Sequence, residues 1–522
     1  AFALLALVLL GGCSGSGEQT ASSGHTLVIA RVKDAVGLDP AHETDGLSLD
    51  ISSEVLQGLV AFRPGTFEVI PALAQRWQLS PDGKTWTFTL APGAQFTDGT
   101  PADAQAVKFN FDRWRLRSDP YHGTFSYGYY ESQFGGFPGV IVDVRAPSAR
   151  TVVFRLSEPF GPFLRNLAMP SFAVGSPTAI KKDPIAYAAA PVGTGPYEVT
   201  EWVRDDHITL KANPQWRPAP AYDTVIVRDI PDQATSVLSL EKGDIDGLTD
   251  PRPDDAAILA KTPGITVYHQ PSNNLSYLAL NVERAPFGDV RVRRAIAYAI
   301  DVRTIVARLY ASGASVAANW TPPGMLGEDR VLQAYPYDPA KAKVLLAQAG
   351  YPHGFSTDLF YGTAPRPYMP EPQRVAEAIQ ANLRDAGVTV TLQPFEWGVY
   401  LQKIRNGEHP MCLIGWIGDN GDPDNFLYVL LDQDSAVKGS AQNYSFWRDP
   451  SFHALMLAGQ RTLDEKARAA IYLRANDLIH DQAPAISIVH TSVPLAMKST
   501  VAGVIARPDS ILNFELMRPA TP

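Results

Sequence analysis

Apolar side chains recur along this chain at two spacings, and the places where each spacing starts and stops predict its elements. Thr85-Trp86-Thr87-Phe88-Thr89-Leu90 alternates polar with apolar residues behind the turn sequence Ser80-Pro81-Asp82-Gly83, which predicts one arm of a β-hairpin. His25 to Ala30 reads as an earlier strand, and Gly37-Leu38-Asp39-Pro40 as a turn leading into a helix over Leu47 to Val60. A second helix is expected from Ala102 to about Arg117. Asp289 stands ahead of Arg291, Arg293 and Arg294, with Ala295, Ile296, Tyr298, Ala299 and Ile300 behind them; an acid in the first turn followed by an apolar stripe predicts a docked amphipathic helix.

The last third of the chain gives the clearest order of elements. Val375, Ala376, Ile379 and Leu383 fall at helical spacing between Glu371 and Ala386, with Pro372 suited to the first turn and Gly387 to the end. Val388 to Leu392 then reads as a strand, Glu396-Trp397 precedes another helix, and Met411 to Ile414 is an apolar run with the character of a buried strand. Strand, helix and strand in this succession predict an α/β half with a partly parallel sheet, whose ligands collect at the carboxyl ends of the strands.

Length and charge narrow the class. At 522 residues the chain exceeds one ordinary domain and predicts two or three globular units. Lys and Arg number 45 against 54 Asp and Glu, a formal charge of −9 without any basic block, which argues against nucleic acid or an anionic membrane surface as partner. The 43 prolines and 40 glycines are scattered and punctuate turns.

Ala1 to Leu10 is apolar but too short to span a bilayer, and it stops at Leu10-Gly11-Gly12-Cys13. These residues resemble the lipobox of bacterial lipoproteins, which implies a lipid on Cys13 and a flexible tether from Ser14 to Gly24. The run lacks a leading methionine and a basic segment, as expected of a chain trimmed at its start. Cys412 is the second of two cysteines, so no disulfide framework is predicted, and its place in an apolar strand makes it a small buried hydrophobe.

Candidate chemistry gathers where the strand at Met411 stops. Gly415-Trp416-Ile417-Gly418-Asp419-Asn420-Gly421-Asp422-Pro423-Asp424-Asn425-Phe426 packs three aspartates beside a tryptophan, and Pro365-Arg366-Pro367-Tyr368 offers the opposite charge upstream. The aspartates lack the full calcium-loop pattern and its closing glutamate, so no metal site is assigned. No nucleophile elbow, zinc-protease helix or phosphate loop is present; the Gly-rich Val192 to Tyr197 lacks the lysine and Ser/Thr of the last. The expectation is a non-enzyme without cofactor, in which one fixed carboxylate, one fixed guanidinium and several aromatics hold a zwitterion.

Trp77, Ser80 to Thr85, Phe88, Leu90, Gly93, Phe96, Asp98-Gly99, Val107 and Phe111, in this order, resemble the peptide, nickel and opine class of bacterial solute-binding proteins that serve ATP-driven importers. Pro191 to Tyr197, Pro286 to Ala295 with Ala299-Ile300-Asp301, and Tyr337 to Ala342 extend that resemblance along the whole mature chain. It implies an α/β, three-lobed periplasmic-binding-protein-like fold of the cluster C type with a hinged ligand cleft. Its lobes would be a discontinuous domain I (25–45, 194–270 and 490–522), an inserted domain II (46–193) and domain III (271–489), after a leader and tether over 1–24.

By the same resemblance, closest to the dipeptide-binding members, Asp419 would grip a peptide's α-ammonium and Arg366 its carboxylate. Tyr368, Trp416, Gly418, Trp397 and Thr44 would line the cleft, whereas Asp422, Asp424 and Asn425 would hold the loop's shape. Further implications are a short peptide as ligand, membrane permease subunits as partners, a monomer, and a periplasmic or cell-surface location. Haem, an opine, a nickel chelate or another small solute on the same scaffold remains open, as does a surface hydrolase or peptidase.

Overall fold

The computed structural model describes residues 25–123, 125–310 and 313–521, so Cys13 and the tether lie outside the described residues. The chain is mixed α/β, built on three main sheets. Thr26–Arg31 sits inside a seven-stranded sheet, parallel to both Thr224–Asp229 and Gly247–Thr249. Pro494–Lys498 returns from the far end of the chain to lie between Gly247–Thr249 and Ile265–His269. Leu27, Ile29, Val225, Val227 and Met497 bury one side of this sheet.

Between the first strand and the rest of its sheet, the chain makes an antiparallel four-stranded sheet in the order Ala74–Leu79, Thr85–Leu90, Thr151–Leu156, Ile141–Ser148. The hairpin at Asp82-Gly83 forms as the alternation requires, with Trp86, Phe88 and Leu90 buried. Phe88, Phe111 and Phe163 each meet Phe154 edge to face in its core, an arrangement that adds to their burial through the ring quadrupoles. The helix Ala104–Arg115 packs here, its first turn capped by the Asp103 carboxylate.

A six-stranded sheet organises the remainder, in the order Ser315–Val316, Ala485–His490, Asn274–Leu280, Met411–Ile417, Phe355–Gly362, Val388–Phe395. Strand alternation sends Leu278, Leu280, Met411 and Leu413 into one core, and Leu275, Tyr277, Cys412 and Ile414 into another on the opposite face. Covered on both faces, the central strands read as continuous apolar runs. Helix Pro372–Asp385 crosses between the parallel pair Phe355–Gly362 and Val388–Phe395, burying Val375, Ala376, Ile379 and Leu383.

Two local expectations differ from what forms. The helix after the first turn spans Gly46–Val55 and stops short of Val60. Leu56 is already extended, Gln57 bridges to Val174, and Val60–Phe62 pairs with Val69–Pro71; tertiary pairing outweighs helical propensity there. In helix Val290–Ala299 the apolar stripe is buried as expected, yet Arg293 is buried with it at 4% exposure. Its guanidinium donates to the carbonyls of Phe287, Gly288 and Gln482, which satisfies the charge without a carboxylate.

Candidate functional site

Met411–Ile417 is held on both sides, antiparallel to Asn274–Leu280 and parallel to Phe355–Gly362. A loop leaving its carboxyl end therefore starts from a fixed point. Gly415 is required where it stands, because a Cβ there would collide with the Tyr368 ring and the Leu275 carbonyl. Gly418 is equally constrained by the Phe426 ring and Asn273. Its N–H donates to the Asn273 carbonyl at 2.7 Å, and the Asn273 amide donates back to the Gly418 carbonyl. Tyr368 thus lies against the strand that presents the acidic loop.

The carboxylates and amide of this loop divide their work. Asn425 accepts from the Asp419 N–H (3.1 Å) and from the Trp416 indole (3.0 Å), and donates to Asp419 Oδ2 (3.0 Å); one side chain ties the loop's two ends together. Asp422 is buried at 0% exposure and accepts two bonds from the Arg468 guanidinium, at 2.8 and 2.9 Å, a bidentate pair that holds its pKa below the usual range. Asp424 lies in the first turn of helix Asp424–Leu431 and accepts from Gln460 at 3.1 Å. Burial, with Asp422 alongside, pushes its carboxyl up to about 7.

Asp419 differs from both. Among the described residues its oxygens accept only from neutral groups, the Tyr129 hydroxyl at 2.6 Å and the Asn425 amide. Burial raises its carboxyl to about 6, and those two hydrogen bonds only partly oppose the rise. A carboxylate desolvated to this degree and matched by no cation favours any ammonium that reaches it.

Arg366 occupies the loop after Phe355–Gly362, the parallel neighbour of Met411–Ile417 in register Leu359↔Met411 and Tyr361↔Leu413. Arg366 and Met369 exchange both backbone hydrogen bonds, at 3.0 and 2.8 Å, and Thr491 Oγ1 donates to the Pro367 carbonyl. The guanidinium stacks on Trp397 with its Cζ 3.7 Å from the ring centroid, and Trp397 in turn packs on Gly362. Its Nε is buried without a hydrogen-bond partner, and burial lowers its pKa. The structure therefore brings an acid and a base, neither in an ion pair among the described residues, to loops at the carboxyl ends of two adjacent parallel strands, with the Glu396 charge acting on Arg366 from nearby.

Of the other residues singled out in the sequence, Trp416 and Trp397 are half-buried beside Asp419 and Arg366 respectively. Thr44 is exposed, and its methyl faces Gly128 at the start of helix Gly128–Phe134, the helix that carries Tyr129. Tyr129 itself, Arg468 and Asn273 were not foreseen. Tyr129 meets Asp419 across 290 positions and Arg468 meets Asp422 across 46. Only the Gly-flanked aromatic run Tyr127-Gly128-Tyr129-Tyr130 could have drawn attention to the first.

Residues 68–437 match the family described as bacterial extracellular solute-binding proteins, family 5 Middle. The dipeptide-binding protein of Escherichia coli (strain K12) is 37% identical over 94% of this chain and 94% of its own. Heme-binding protein A of Haemophilus influenzae is 33% identical over 94% of this chain and 92% of its own. Among solved structures, an ABC transporter-associated periplasmic binding protein from Helicobacter pylori, in complex with the peptide STSA, superposes with a TM-score of 0.83 at 34% identity. That alignment covers 95% of this chain and 98% of the other. Among the described residues no helix is long and apolar enough to cross a membrane. Fold and similarity over nearly the whole length converge, and the chain belongs to the bacterial extracellular solute-binding proteins, family 5.

Proposed function

We propose that this chain is the extracytoplasmic substrate-binding component of an ABC importer and captures short peptides, dipeptides first, between Asp419 and Arg366. The observation that carries the reading is a pair of half-buried opposite charges at neighbouring strand ends, neither of them in an ion pair among the described residues. A zwitterion supplies an ammonium for one and a carboxylate for the other, each through charge-assisted hydrogen bonds. Tyr368, Trp416, Gly418, Trp397 and Thr44 complete the cleft walls. The three lobes expected from the sequence (25–45 with 194–270 and 490–522; 46–193; 271–489) close about the ligand by hinge motion, since a closed cleft makes more contacts with it than an open one.

In this reading the mature protein is a monomer at the periplasmic or cell surface, tethered by a lipid on Cys13, and passes its cargo to a membrane permease without chemical change. Calorimetry with a free dipeptide and its C-terminally amidated form tests the carboxylate anchor. Amidation should weaken binding to the wild type far more than to Arg366→Ala, and equal losses in both would reject Arg366 as the partner. A dipeptide cleaved to amino acids during incubation would instead identify a peptidase.

Acid should loosen the grip on the ammonium. The Asp419 carboxyl titrates near 6, so protons compete with the ligand below that value; affinity is expected to fall by up to about tenfold per pH unit between pH 6 and 5. Calorimetry at pH 7.5 and 5 checks this, with Asp419→Asn expected to flatten the dependence. Haem is the second reading, motivated by the 33% identical heme-binding relative, and it predicts a shifted haem absorption band on mixing.

A further inference from the structure

The two residues that follow Asp419 grip another part of the molecule and contact no candidate anchor. Asn420, 1% exposed, donates through Nδ2 to Asn166 Oδ1 at 2.7 Å and to Gln133 Oε1 at 3.3 Å. Asn166, also 1% exposed, donates its own amide to the Gln133 carbonyl at 3.0 Å. Asn420 Oδ1 is meanwhile occupied by the Asp422 N–H at 2.9 Å, which fixes the orientation of its amide. Next along, the Gly421 carbonyl accepts from Arg165 at 3.3 Å, and Gly421 packs against Phe67. Gln133, Asn166 and Arg165 all belong to the body built on the four-stranded sheet, whereas Asn420 and Gly421 extend from the six-stranded sheet.

We propose that Asn420 with Asn166 and Gln133 is a closure latch, which sets peptide affinity through the position of two bodies without touching the peptide. The inference rests on the reading that those bodies close on a ligand. Separation would return all three amides to water, so the latch contributes a modest bias to closing; its directionality comes from the mutual use of donors and acceptors in a dry contact. Helix Gly128–Phe134 ties the latch to the anchor, since Tyr129 at one end meets Asp419 and Gln133 at the other meets Asn420. A ligand that draws Asp419 and Tyr129 together therefore also favours the amide contact, and the latch favours the ligand in return.

Asn166→Ala, Asn420→Ala and the double variant test this, with dipeptide affinity and dissociation rate measured alongside small-angle scattering of the peptide-free protein. Each single variant should weaken affinity about five- to tenfold, mainly through faster dissociation. The double variant should be no weaker than the worse single, and the rank order among several dipeptides should stay that of the wild type. The scattering profile of each variant should shift to a larger radius of gyration. Additive losses, an altered ligand ranking or an unchanged radius would overturn the latch. Should the wild type bind no peptide at all, the proposed function fails while the scattering comparison still decides the latch. Matching circular dichroism spectra and melting temperatures separate a loosened contact from a damaged fold.

Discussion

Asp419→Ala is expected to leave the fold intact and to weaken dipeptide binding by about 3–5 kcal/mol, the scale for removing one partner of a buried charge pair. The substitution removes a carboxylate whose burial is unfavourable in the free protein, as its pKa of about 6 reports, so stability should not suffer. Complexed, the ligand's ammonium would be left facing the Tyr129 hydroxyl and the Asn425 amide, the present partners of Asp419. Neither carries a charge. Isothermal calorimetry measures the loss; an affinity unchanged within twofold would remove Asp419 from ligand recognition. Asn at this position keeps an acceptor for Tyr129 and should recover only a small part of the binding.

The largest expected effect on stability lies at Asp422. Arg468 donates to both of its oxygens and also to the Gly459 carbonyl and the Tyr472 hydroxyl, and both partners of the pair are nearly inaccessible, with side-chain exposures of 4% and 0%. Arg468→Met would leave Asp422 buried without its hydrogen-bonded cation, with only the Arg165 charge nearby and next to Asp424, whose own carboxyl already sits near 7. Unfolding by urea should show a loss of about 3–5 kcal/mol. Adding Asp422→Asn to Arg468→Met removes the stranded charge, and the double variant is expected to regain a substantial part of that loss. If the double variant were as unstable as the sum of the two single ones, the pair would not be coupled as its geometry implies.

These two aspartates mark how far the sequence could be read. The apolar run at Met411, the Gly-rich exit from it and the separate arginine in a proline-rich segment were all legible, because strand burial and turn chemistry are local. So were the helices over Pro372–Asp385 and Ala104–Arg115, whose caps and spacing lie within a few residues of each other. What distinguishes Asp419 from Asp422 is not local. One meets a tyrosine and the other an arginine, each from a distant segment, and no spacing along the chain encodes either encounter. The buried Arg293 makes the same point: of the three carbonyls that enclose it, that of Gln482 comes from 189 positions away. The overlong helix past Val55 erred for a related reason, since the pairing of Val60–Phe62 with Val69–Pro71 is a choice between competing partners.

The parallel pairing of Phe355–Gly362 with Met411–Ile417 has a kinetic consequence. Loops that grow from two hydrogen-bonded neighbours of one sheet keep their separation while other parts of the molecule swing. On the proposed reading, the distance between Asp419 and Arg366 is then set before any encounter, and a peptide would dock by both ends while the bodies are still apart. Association should depend little on how fast the bodies move, whereas escape must wait for them to part. Variation among substitutions at the Asn420 contact would accordingly appear in residence time, and variation at Asp419 and Arg366 in whether the encounter is productive at all.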